Sequence, residues 1–314
     1  MAGVTVSSPG NGAEVQTPFT LSATAVECSG NDVTAIGYSL DQSSDTTILR
    51  DENVEATVAA PIGNHVLHVK AWAKSHVCVT DVAIHVTPAT SLFPADAVSV
   101  SDIEALGSWE LQHDPATSGE SSGATKMVNT PAHSGAAREF VTQFTNSGGQ
   151  LYHVSFGDDT QATNFLYDAW VYFNSSASHI ANLEMDMNQV MDNGQTVIYG
   201  FQCDGYSGTW DYSANAGTPE RPSGHWVHSK AACNVQNWAI NTWHHVQISY
   251  SRNDAGVVTY KSVWLDGKEQ VINGTALGAR ALGWSPVLLA NFQVDGRGDG
   301  TATVYLDNLT VYRW

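Results

Sequence analysis

Hydrophobic and polar residues alternate at short range along most of the chain, and helical spacing is nearly absent. A period of two marks a strand with one buried face. The alternating segments are broken by Gly, Asn, Asp and Ser, so the chain reads as all-β. Over residues 1–88 the pattern predicts short strands at Phe19–Val26, Val33–Leu40, Val54–Ala59, His65–Ala73 and Val79–Val86, with Trp72 in the core. Longer segments follow at 164–174, 180–190, 195–203, 242–251, 257–266, 286–295 and 301–313. Strands of that length suit a jelly-roll of two stacked sheets, one of which can curve into a groove. The stretch from Pro88 to Ala95 has the composition of a connector. The expected organisation is a first β-sandwich over 1–88, a linker over 89–98 and a larger β-sandwich over 99–314.

The chain has 314 residues, 42% of them hydrophobic and 14% charged, which supplies core for two domains and excludes disorder. No apolar run approaches the ~18–20 residues that cross a bilayer. Thirteen basic residues face 31 acidic ones, a formal charge of −18. So acidic a chain has no general attraction for phosphate backbones or anionic lipid, so neither nucleic acid nor membrane is an expected partner. A neutral polysaccharide fits, bound by a monomer. Cys28, Cys78, Cys203 and Cys233 fall two in each half without a CxxC spacing, which favours the disulfides Cys28–Cys78 and Cys203–Cys233 over a zinc site. Disulfides imply a secreted or periplasmic protein. The opening Met1-Ala2-Gly3-Val4 carries no signal peptide, so export is inferred from the cysteines.

Residues 180–190 read Ile-Ala-Asn-Leu-Glu-Met-Asp-Met-Asn-Gln-Val. Side chains alternate across a strand, so Asn182, Glu184, Asp186 and Asn188 share one face, with Ala181, Leu183, Met185 and Met187 on the other. The methionine face must look inward. Glu184 and Asp186 then stand about 7 Å apart along the strand and shift one another's pKa, which points to a site. A solvated face or a calcium site is the plainer alternative. The same parity rule sets Asp168, Trp170, Tyr172 and Asn174 together on one face. It does the same for Trp243, His245, Gln247 and Ser249, and for Leu289, Asn291, Gln293 and Asp295. Aromatic rings stack on the apolar faces of pyranoses while amides and carboxylates bond the hydroxyls. Trp170, Tyr172, Asn182, Asn188, Trp210, Gln247 and Gln293 are therefore the substrate-binding candidates.

Val4-Thr5-Val6-Ser7-Ser8-Pro9 and Ile84-His85-Val86-Thr87 resemble the ends of the Ig-like modules appended to bacterial secreted enzymes. Glu184-Met-Asp186 resembles the Glu-x-Asp strand of concanavalin A-like retaining β-glucanases. Asn241-Thr-Trp-His-His-Val246 with Ser262-Val-Trp-Leu-Asp-Gly267 is similar to a hairpin shared by those enzymes and laminin-G-like lectin domains. This resemblance implies a jelly-roll fold, Glu184 as nucleophile and Asp186 as its orienting partner. The glucanases place a second Glu two or three positions after the Asp. Asn188 and Gln189 stand there instead, and an amide cannot act as the general acid. Asp168, His245 and Asp295 are the candidates for the missing proton donor.

Trp210, Tyr212 and Trp226 lie in a Gly- and aromatic-rich stretch between Cys203 and Cys233, expected to be a rim loop with sugar platforms. Leu306-Asp307-Asn308-Leu309 resembles the last strand of jelly-roll glycan modules, where Asp helps hold structural calcium. Asp307, with Asp102 or Glu104, is the candidate here. His225, His228, His244 and His245 offer a conceivable copper or zinc site. No cofactor is needed for the expected catalysis. No Gly-x-Ser-x-Gly elbow, P-loop or dinucleotide fingerprint is present. The expected function is a glycoside hydrolase acting on a neutral β-linked polysaccharide. A non-catalytic glycan-binding module is the first alternative and a polysaccharide lyase the second.

Overall fold

The computed structural model describes residues 3–41, 46–49, 51–87 and 91–314. It is all-β and divides into two compact units, Met1–Ser91 and Leu92–Trp314. Residues 88–90, at the start of the expected linker, lie outside the described residues. Residues 92–98 of that linker belong to the second unit. Phe93 stacks on Tyr312 at 3.9 Å between ring centroids, and Val98–Val100 pairs with the final strand.

The first unit is a sandwich of a three-stranded sheet (Thr5–Ser8, Phe19–Thr24, Asn53–Val58) and a five-stranded one. The five-stranded sheet runs Ala13–Gln16, His76–Thr87, Gly63–Ala73, Ala35–Leu40, Thr47–Leu49. Its core is Leu21, Ile36, Val54, Leu67, Val69, Ala71 and Val86 with their neighbours. Trp72 is not in that core. Leu67, Val69, Ala71 and Ala73 are the inward residues of its strand, and alternation turns Trp72 outward, over Gly37. Cys28 and Cys78 form a disulfide with Cα atoms 5.8 Å apart.

The second unit stacks a nine-stranded sheet on an eight-stranded one. The nine-stranded order is Glu110–Asp114, Gly149–Ser155, Leu288–Gly296, Ile180–Val190, Phe201–Asp204, Thr209–Asn215, Gly224–Ala232, with short strands Thr196–Tyr199 and Ala279–Arg280 beside them. The eight-stranded order is Glu120–Val128, Ala137–Thr145, Gly300–Arg313, Asn164–Phe173, Trp243–Arg252, Val257–Leu265, Lys268–Leu277, plus Val98–Val100. Between them lies one aromatic-rich core that includes Phe140, Tyr167, Val171, Leu183, Met185, Met187, Trp210, Tyr250 and Phe292. The span between Cys203 and Cys233 is therefore not a rim loop. It folds as two further strands of the nine-stranded sheet, and the disulfide (Cα–Cα 5.3 Å) ties them to the sandwich.

A polar network crosses this core. Arg252, on the eight-stranded sheet, donates from Nε to Gln189 Oε1 of the Glu184 strand at 2.8 Å and from a terminal nitrogen to the Thr160 carbonyl at 2.9 Å. Tyr199 donates its hydroxyl to the same Gln189 oxygen at 2.7 Å, and Gln189 Nε2 bonds the carbonyls of Asp159 and Ala162. The hairpin of the Trp-His and Asp-Gly motifs is also explained. Asp266 and Gly267 both take positive φ (53° and 78°), as a tight two-residue hairpin turn requires. Asp266 Oδ2 meets His244 Nδ1 at 2.8 Å, and its Oδ1 accepts from His245 N at 2.9 Å.

Candidate functional site

Pairing is regular from Asn182 to Gln189, so the Glu184 strand keeps a strict alternation there. Leu183, Met185, Met187 and Gln189 point into the sandwich, and Asn182, Glu184, Asp186 and Asn188 stand on the outer face of the nine-stranded sheet. Gln189 thus belongs to the interior network, and only Asn188 shares the face of Glu184.

Register extends this polar face sideways over the neighbouring strands. Asp114, Gly149, Asp295, Asn182 and Asp204 form one transverse row. Gln112, Leu151, Gln293, Glu184, Gln202, Asp211 and His228 form the next. Glu110, His153, Asn291 and Asp186 form a third. Glu184, Asp186, Asn188, Asn291, Gln293 and Asp295 each keep 6–9% of their surface accessible, so they bury one another side by side.

Gln293 holds the centre. Its Nε2 lies 2.9 Å from Glu184 Oε1, 3.0 Å from Asp295 Oδ1 and 3.1 Å from Asp114 Oδ2, tying three carboxyls to one amide. Glu184 and Asp295 thus crowd the same amide, and each carboxyl disfavours the charge of the other. Burial pushes the Glu184 carboxyl well above the ordinary range, and the charges of Asp295, Asp186 and Asp114 push it further. Burial lifts Asp295 to about 7 against the pull of the Gln293 amide, with Asp114 adding to the rise. Asp186 also rises to about 7 through burial, although the Phe201 N–H donates to its Oδ1 at 2.7 Å. At neutral pH the face therefore presents carboxyls in both forms, able to donate as well as accept.

Two glycines make room. A Cβ on Gly149 would stand 2.2 Å from Asp295 Oδ1, so a larger residue would displace that carboxyl. Gly200 has Ser213 and the Trp226 ring against its open side. Trp226, half-exposed and paired with Ser213, is an aromatic residue of this face.

The sequence-derived candidates separate into three groups. Glu184, Asp186, Asn182, Asn188, Gln293 and Asp295 are brought together. Asp168, Trp170, Tyr172, His245 and Gln247 are not with them, because their strands belong to the eight-stranded sheet and face outward on the opposite side of the sandwich. There His245 Nε2 lies 2.7 Å from Asp168 Oδ1, Gln247 donates to Asp168 Oδ2 at 2.7 Å, and Trp170 stacks between His133 and His245. These residues cannot serve Glu184 as proton donor or platform. Trp210 is fully buried against Phe201. Its strand alternates Trp210 and Tyr212 inward with Asp211 and Ser213 outward.

The calcium candidates have other partners. Asp307 Oδ2 accepts the N–H groups of His133 and Ser134, and the two Glu104 oxygens accept those of Asn308 and Leu309. Burial lifts Glu104 to about 7 against those donors. These carboxylates tie chain segments together through backbone donors. Sequence reasoning missed Asp114, Asp204 and Asp211 as parts of the face, and it placed Asn291 beside Gln293 and Asp295 without naming it as a binding residue. Phe201-Gln-Cys-Asp204 and Trp210-Asp-Tyr-Ser213 do alternate, and that is the signal that reveals Asp204 and Asp211.

No family model matches the chain, and no curated protein does. Solved structures with a similar course of chain include a carbohydrate-binding module of the β-sandwich superfamily (11% identity, 98% of this chain and 96% of that one, TM-score 0.34). Cip1, a cellulose-induced protein, is 13% identical over 68% of this chain and 96% of its own, with a TM-score of 0.41. Arcelin-5, a lectin-like defence protein from Phaseolus vulgaris, is 10% identical over 70% of this chain and 99% of its own, at 0.36. At these similarities no residue role passes to this chain.

Proposed function

We propose that the protein binds a neutral polysaccharide across the outer face of the nine-stranded sheet, in an oxidising extracytoplasmic setting suited to its two disulfides. The observation that carries this reading is the unbroken hydrogen-bonding surface around Gln293, in which Glu184, Asp295 and Asp114 meet one amide and amides continue the rows on either side. Sugar hydroxyls donate and accept at once, and a surface of amides, carboxylates and proton-bearing carboxyls matches them at no net cost in buried charge. Trp226 supplies a ring for one pyranose face.

The test is retardation of the full chain in gels cast with β-glucans, xylans and mannans. Trp226→Ala is expected to weaken binding about tenfold, equivalent to ~1.4 kcal/mol. Trp170→Ala, on the other face, is expected to leave it unchanged. Retardation abolished by Trp170→Ala and untouched by Trp226→Ala would overturn the assignment of the face.

A second reading, hydrolysis, is favoured by the raised carboxyls of Glu184 and Asp295 gathered with Asp114 on the Gln293 amide. A carboxyl that keeps its proton at neutral pH is what a general acid needs, and a second carboxylate within reach is what a nucleophile or base needs. New reducing ends from one of these polymers, lost in Glu184→Gln, would establish it. Retention without product would leave binding alone.

A further inference from the structure

At the far side of the polar face, three neighbouring strands bring Asp204, Asp211 and His228 together, with one ligand atom from each lying within 4.8 Å of the other two. Asp211 is fully buried and Asp204 is 6% exposed, whereas the His228 side chain is 62% exposed. The cluster is thus closed below and open to solvent through the imidazole. Its present bonds are short. Asp211 Oδ1 accepts from Thr209 Oγ1 at 2.6 Å and Oδ2 meets His228 Nδ1 at 2.7 Å. Ser207 Oγ lies 3.4 and 3.2 Å from the same two Asp211 oxygens. Asp204 Oδ1 accepts from Tyr206 N at 2.6 Å and, in the amide orientation its surroundings satisfy, from Asn182 at 2.7 Å.

A separate observation comes from Gln202. It is 2% exposed and stands on the same face, in register between Glu184 and Asp211 and two residues before Asp204. Its side-chain oxygen is shut off from solvent and meets no donor among the described residues. A buried carbonyl oxygen left in this way is destabilising unless a donor or a cation reaches it. Its register neighbours on the two sides are the carboxyl residues Glu184 and Asp211. The wider charge balance points the same way. Asp114, Glu184, Asp186, Asp204, Asp211 and Asp295 share this face, and among the described residues His228 is the one basic side chain within ion-pair distance of any of them.

We propose that Asp204, Asp211 and His228, with the side-chain carbonyl of Gln202, bind a divalent transition-metal ion of the zinc class. Two carboxylates, an imidazole and a carbonyl oxygen give four hard-to-borderline donors, and the nitrogen ligand favours zinc over calcium or magnesium. Binding brings a positive charge between Asp204 and Asp211 and satisfies the Gln202 oxygen in one step. The site is independent of the glycan reading, since it lies at the flank of the Gln293 cluster and uses none of its three carboxyls.

The test is calorimetric titration of chelator-stripped full-length protein with zinc, manganese and calcium chlorides at pH 7.5. One zinc per chain is expected, with protons released on binding because the ligands must be deprotonated. His228→Ala and Gln202→Leu are each expected to weaken zinc at least tenfold. His225→Ala, three residues away on the other side of the same strand, is expected to change nothing. Should Gln202→Leu fail to fold, the largely exposed His228 carries the test alone. Absence of stoichiometric zinc binding, or binding that survives His228→Ala, overturns the site. Calcium preferred to zinc with the same dependence on these residues overturns the metal class.

Discussion

Asp186→Asn isolates the cost of a buried charge on the candidate face. Asp186 is 9% exposed and its carboxyl is lifted from an ordinary 3.8 to about 7, first by burial and then by Asp295. At 1.36 kcal/mol per pH unit, that rise corresponds to about 4 kcal/mol of preference for the neutral form in the folded state. Water entry and turning dipoles around the ionised group bring the expected effect to about 2 kcal/mol. Asparagine keeps an oxygen where the Phe201 N–H donates, so the bond at 2.7 Å survives while ionisation is removed. The folded-state pKa is above the unfolded one, so the folded protein holds the extra proton between about pH 4 and 7. Wild-type stability therefore falls as pH rises through that window. The variant lacks this component. Scanning calorimetry from pH 4.5 to 8.5 is expected to show equal melting temperatures at the acid end. At the alkaline end the variant should gain roughly 4–8 °C in the second unit. A variant that melts lower at both ends, or a gain that is largest at pH 4.5, would refute the reasoning.

Other outcomes follow from the same geometry. Gly149→Ala forces Asp295 aside and is expected to lower stability by about 1–3 kcal/mol, measured by urea denaturation. His244 is 6% exposed, and its Nδ1 and Nε2 both meet acceptors, the Asp266 carboxylate at 2.8 Å and the Ala239 carbonyl at 2.9 Å. Burial works against its charged form, but these two partners raise its pKa above 6.5. Its contribution is thus complete below that value and lost at higher pH. His244→Ala should cost about 2–3 kcal/mol at pH 6 and less at pH 9, by the same denaturation series. Replacing Cys203 and Cys233 together with serine frees a 30-residue span and is expected to cost about 3 kcal/mol, seen as an earlier thermal transition of the second unit.

Alternation made much of this legible. The sides of Glu184, Asp186 and Met185 follow from parity alone, as do those of Asp168, Trp170, Gln293 and Asp295. Parity fixes a face within one strand but not which sheet the strand joins. Trp170 and Glu184 therefore read as neighbours although they stand on opposite outer surfaces. Asp295 and Asp168 are indistinguishable by sequence pattern, yet only the strand of Asp295 pairs with that of Glu184. The 209–232 segment shows a different failure. Its Gly, Ser and aromatic content has the look of a loop, and composition outweighed the alternation of Trp210 and Tyr212 with Asp211 and Ser213. Trp72 shows that a large aromatic is not by itself a core residue when its neighbours hold the inward parity.

Two greasy layers pressed together have no strong preference for one alignment over another a few ångströms away. The Arg252–Gln189–Tyr199 junction supplies that preference, because its donors and acceptors are satisfied in only one lateral position of the sheets. Gln189 sits one residue beyond Asn188, so the same rivet that stops the layers from sliding also sets the longitudinal address of the acids behind it.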